Sequence, residues 1–220
     1  MRRNPSGVAV IVTAFVLGVT ACGSEEGASA SAAQTPAAKH SALSGSVGKP
    51  AKSALAALAA LPRGYVADAR NAPGPFTATA YLSTWSADPA LDRALLLNAS
   101  FVEGYRATRL SPDKKKRYTV QLFKTGSPAK AKALQQGLWT QDVHDHPFTV
   151  PHALSDARVE YDGSTDQSIA IAEASLAVGA VVVELTVRES GALGTNLTPD
   201  TTLVTALANE QHTRLTATTN

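Results

Sequence analysis

The chain has 220 residues, of which 44% are hydrophobic, 5% are aromatic and one is a cysteine. That length accommodates one ordinary domain with appendages. A lone cysteine excludes an internal disulfide framework, and a net charge of +2 gives no overall electrostatic case for nucleic acid as partner.

Arg2 and Arg3 open the chain, an apolar stretch follows over residues 8–21, and Val19-Thr20-Ala21-Cys22-Gly23 closes it. A positive region, a short apolar region and small residues before a cut form the layout of a secretory signal. The 14 apolar-stretch residues fall short of the about 20 that a membrane-crossing helix needs. The cysteine directly after the cut makes residues 1–22 resemble a bacterial lipoprotein signal, whose lipobox ends in the lipid-bearing cysteine. The resemblance implies a diacylglycerol on Cys22, cleavage before it, and anchoring on the extracytoplasmic face of the cell membrane. Two acyl chains suffice for stable attachment. Losing residues 1–21 removes two arginines and no acid, which leaves 18 basic and 18 acidic residues.

Residues 23–51 read as a tether. Twenty of these 29 residues are Ala, Ser, Gly or Pro, too little apolar surface to offset the entropy of ordering. As a flexible coil they span on the order of 30 Å. From residue 52 onward the pattern is that of a single domain, and its abundant Ala and Thr resemble actinobacterial composition.

Ser53 is expected to cap a short helix ended by Pro62, and residues 63–75 read as loop. Asp88-Pro89 starts a second helix running to about Asn98. A strand is expected over 101–110, a turn at Ser111-Pro112-Asp113, and a second strand over 117–125. In that strand Tyr118, Val120 and Leu122 face one way and Thr119, Gln121 and Phe123 the other. Gly126-Ser127-Pro128 then starts a helix with Ala131, Leu134 and Leu138 inward. Strands follow over 157–161, 167–177 and 181–188, turned at Asp162-Gly163-Ser164 and Gly179. Period-two alternation places Glu173 and Glu184 on the polar side. Thr198-Pro199 starts the last helix, with Leu203, Val204, Leu207, Ala208 and Leu215 inward and Gln211 at the edge. The expected class is α+β: an antiparallel sheet of hairpins with helices packed on one face, in a ββα order that occurs twice and suggests a duplication.

Three features bear on chemistry. Asp142, His144, His146 and His152 have the ligand types of a zinc or other transition-metal site, although a solvated polar loop explains the segment as well and no H-E-x-x-H motif is present. Lys114, Lys115, Lys116 and Arg117 are candidates for contact with anionic lipid or wall polymer, with a solvated hairpin turn as the plain alternative. Trp85, Trp139, Tyr105 and Tyr118 are candidates for lining a groove or for filling the core. There is no G-x-S-x-G elbow and no P-loop. The expected role is therefore binding or sensor-like, in an envelope accessory with no enzymatic activity and no cofactor beyond the lipid. Its partners would be the membrane and an envelope protein, a wall polymer or a small ligand. A metal-dependent envelope enzyme built on His144 and His146 is one alternative; a structural wall- or membrane-contact protein is another.

Overall fold

The computed structural model describes residues 53–144 and 146–219. The lipobox with Cys22, the tether and Asp145 lie outside the described residues.

The helices begin where their caps dictate. The Ser53 hydroxyl accepts the Leu55 N–H at the start of α1 (Ala54–Leu58). The Asp88 carboxylate accepts the N–H groups of Ala90 and Leu91 ahead of α3 (Pro89–Asn98), with proline at its first turn. Ser127 does the same through Lys130 for α4 (Pro128–Trp139). The last helix, α5 (Thr201–Thr219), starts two residues later than Thr198-Pro199 implies, because Asp200 accepts the Leu203 N–H. Within the stretch read as loop, β1 (Val66–Ala67) and β2 (Gly74–Phe76) add short segments. The sequence reading assigned no element to α2 (Ala78–Thr84), which is capped by Thr77 and buries only Tyr81 and Leu82.

β3 (Glu103–Leu110), β4 (Lys116–Lys124), β5 (Ala153–Asp162), β6 (Gln167–Val178) and β7 (Val181–Ala192) complete a seven-stranded antiparallel sheet. Its order is β1-β3-β4-β7-β6-β5, with β2 also on β3. The tight β6–β7 loop places Gly179 at φ 55, where a side chain would be strained. The class is thus α+β, as expected.

The helices do not all share one face. Tyr118, Val120, Leu122, Val183, Leu185 and Val187 pack against α1 and α5. Phe123 and Val182, one residue out of step, point the opposite way, into a second core with residues of α2, α3 and α4. Leu122-Phe123 and Val181-Val182-Val183 are continuous apolar runs, the mark of strands buried on both sides. This placement also tells against a duplication. β4 and β7 are antiparallel neighbours, so a rotation exchanging them runs perpendicular to the sheet and keeps helices on one face. Their following helices, α4 and α5, lie on opposite faces. The repeated ββα order is connectivity without symmetry.

Gln211 is fully buried rather than at the edge of α5. It accepts the Ala60 N–H at 2.8 Å and donates to the Leu58 carbonyl at 2.9 Å, tying the α1 segment to α5. On the other face the Phe76 ring lies directly over Gly104, where a Cβ would meet Phe76 Cζ at 2.1 Å. Only glycine admits that approach, and it seats the aromatic cluster that bounds the site.

Candidate functional site

Helices α2, α3 and α4 cover one end of their sheet face and leave the rest open. Period-two geometry lays the open part out in cross-strand rows. One row runs Thr108, Thr119, Thr186 and Glu173; the next runs Arg106, Gln121, Glu184 and Ser175; at the far end Arg117 stands opposite Arg188. Above them lies a cleft of about 670 Å³, walled by Tyr81, Trp85, Asp92, Trp139, Asp142 and His144. That volume is typical of small-molecule sites.

The cleft is electrically divided. Arg117 and Arg188 are direct cross-strand partners of like charge, an arrangement that costs stability. Arg106 completes the basic end. Its guanidinium stacks over the Trp85 ring at 4.8 Å, and its Nε is buried without a hydrogen-bond partner among the described residues. Burial, and then the charges of Arg117 and Arg188, lower its pKa. Partial relief reaches Arg117, whose Nε lies 3.8 Å from Asp68.

The opposite end holds carboxyl groups. Glu173 accepts from Arg158 and lies 3.3 Å from His144 Nε2. Asp92 accepts from the Gln141 amide at 2.7 Å. Glu184 is pushed up to about 7, first by burial and then by Glu173, Asp92 and Asp142. The Ser175 hydroxyl, which also lines the cleft, is buried without a partner among the described residues. Such orphaned polar groups are uncommon in native proteins.

The cleft brings some expected site residues together and separates others. Asp142 and His144 line it, with His144 stacked on Trp139 at 3.7 Å between centroids. His152 instead stacks on His212 of α5 at 4.6 Å, and α5 packs on the other face of the sheet. The His146 backbone N–H donates to Asp156 at 2.8 Å. Among the described residues no group of three or more His, Cys, Asp or Glu is placed to hold a metal ion. Of the expected metal set, Asp142 and His144 therefore share the cleft, and His152 lies apart from them, beside α5.

The basic hairpin divides as well. Lys114, at φ 61, and Lys115 are exposed in the turn. Lys116 reaches Asp200 at 2.7 Å, and Arg117 turns into the cleft. Trp85 and Trp139 line the cleft, whereas Tyr105 and Tyr118 are core. Arg188, Thr186 and Gln121 were not singled out as site residues. The signal for them was the polar half of the alternation in β4 and β7.

No family model matches the chain, and no curated protein matches it. Among solved structures, the extracellular domain of PknH from Mycobacterium tuberculosis aligns at 11% identity over 70% of this chain and 81% of that one, with a TM-score of 0.36. A likeness that slight carries neither fold nor role. No helix among the described residues is long and apolar enough to cross a membrane.

Proposed function

We propose that this protein is a lipid-anchored, extracytoplasmic binding protein whose cleft on the polar sheet face takes a small charged ligand. The observation that carries the binding reading is the cleft itself, with guanidinium and carboxyl groups lining one half-open volume and buried Arg106 and Ser175 atoms unpaired among the described residues. Anchoring rests on the lipobox ending at Cys22. The tether would then hold the cleft away from the membrane surface.

Both tryptophans of the chain, Trp85 and Trp139, line this cleft, so its intrinsic fluorescence is a specific reporter. A panel of amino acids, dipeptides, sugar acids and phosphates is expected to include ligands that shift Trp emission saturably. Arg106→Ala should weaken that binding at least about tenfold, the usual scale for a charge-assisted hydrogen bond. A panel without any saturable shift, or shifts unchanged in Arg106→Ala, would count against the cleft as the binding site. The anchor is tested separately. Cys22→Ser should abolish lipid labelling and leave the chain unprocessed; unaltered labelling and processing would refute the lipoprotein reading.

A further inference from the structure

From the division of the cleft we infer that its ligand is a small zwitterion, with its anionic group on Arg106, Arg117 and Arg188 and its cationic group between Glu184, Glu173 and Asp142. This deepens the binding reading above and rests on it.

Register separates Arg117 and Arg188 from Glu184 along the strands, while Arg106 shares the Glu184 row and stands two strands away from it, on β3. Arg117 and Arg188 share a row, and Glu184 stands four residues from Arg188 along β7. That separation is on the order of 13 Å between backbones. Between the Arg117–Arg188 row and the Gln121–Glu184 row lies the row of Thr119 and Thr186, which Glu173 closes on β6.

Each pole taken alone is unfavourable. Three guanidinium groups line the cleft, and Asp68 lies 3.8 Å from Arg117. At the other end Glu173 is engaged by Arg158 and His144, but Glu184 has no hydrogen-bonding side chain among the described residues and faces further acids. A simple anion relieves the first pole and is repelled by the second; a simple cation does the reverse. One molecule carrying both charges relieves both, and the Arg106 Nε then gains the acceptor it lacks. Guanidinium groups suit carboxylate or phosphate, and an ammonium, with three donors, suits a cluster of carboxylates. Short peptides and ω-amino acids, whose two charges stand well apart, have this chemistry.

The test uses the full chain at about pH 8, above the Glu184 titration, with three probes of equal length: ω-aminooctanoate, octanoate and octylammonium. Trp fluorescence reads binding. The zwitterion is expected to bind at least about tenfold more tightly than either single-charge probe, since a charge-assisted contact is worth that much. Glu184→Gln should cut that advantage to less than about threefold without weakening octanoate, and Arg106→Ala should weaken octanoate and zwitterion together. Octanoate or octylammonium binding as tightly as ω-aminooctanoate overturns the zwitterion inference and leaves the cleft a binding site. An undiminished advantage in Glu184→Gln overturns it as well. If no probe binds but a phosphate or sugar acid from the broader panel does, the zwitterion inference falls alone; if nothing binds, both readings fall.

Discussion

Replacing Phe123 by alanine is expected to lower stability by about 3–5 kcal/mol, the range for truncating a buried aromatic in a core that cannot fully collapse. The side chain is completely buried. Its ring meets Phe76 at 5.4 Å, Tyr81 at 5.2 Å and Phe101 at 6.3 Å between centroids, each edge-on. Such edge-to-face pairs add to the area buried. Phe123 is also the sheet residue on which β2, α2 and the start of β3 converge, so the cavity would sit beneath the wall of the cleft. At about 2–4 °C per kcal/mol for a domain of this size, the melting temperature should fall by about 10 °C. Thermal unfolding followed by circular dichroism checks this. A fall below about 3 °C would mean that the surrounding rings close over the gap.

The same residue shows where sequence reasoning reached and where it stopped. Alternation in 117–125 placed Phe123 opposite Tyr118, Val120 and Leu122, and the structure agrees. What alternation did not reveal is that the second face is apolar at one end and polar at the other. Phe123 and Val182 lie under helices, while Thr119, Gln121, Glu184 and Thr186 stay open on the same side. A period-two pattern averages over that gradient and reads as one buried and one solvated face. Helix α2 was invisible for a related reason. Its sequence ATAYLST has little helical periodicity, and tertiary contact of Tyr81 with Phe76 and Phe123 does the selecting.

The cleft residues were individually visible but not as a set. Arg117 stood out as part of a basic run, and Glu173 and Glu184 as polar strand positions. Their meeting depends on β7 inserting between β4 and β6, a long-range pairing that spacing along the chain does not encode. Conversely, His144, His146 and His152 are close in sequence and were drawn together on that account. The turn through Pro147 and Pro151 and the strand pairing of β5 carry His152 away to α5. Proximity in sequence was the weaker guide in both cases.

Glu184 should make the unliganded protein less stable as pH rises through neutrality. Its carboxyl titrates at about 7 in the fold, against 4.5 without the fold's influence. Between those values the folded state holds a proton that the unfolded chain has released. Stability therefore falls with rising pH across the window, and the contribution is fully present only below about 4.5. At about 1.4 kcal/mol per pH unit the shift corresponds to about 3 kcal/mol, and water entering the cleft reduces this to about 2 kcal/mol. Its neighbours set the sign: Glu173, Asp92 and Asp142 all disfavour a further negative charge. Glu184→Gln removes this titration and leaves the others in place, so the difference between wild type and variant isolates it. Urea unfolding at about pH 5 and pH 8 should show wild type losing about 2 kcal/mol more than the variant. Parallel losses would show that solvent or a counter-charge already stabilises the carboxylate. The wild-type loss is stability given up to keep in the cleft a carboxylate that has no partner among the described residues, the trade expected where a site is shaped for a ligand. A cationic group bound beside Glu184 should hold it ionised and offset the pH trend, so the same unfolding series repeated with ω-aminooctanoate should flatten in wild type and stay unchanged in Glu184→Gln.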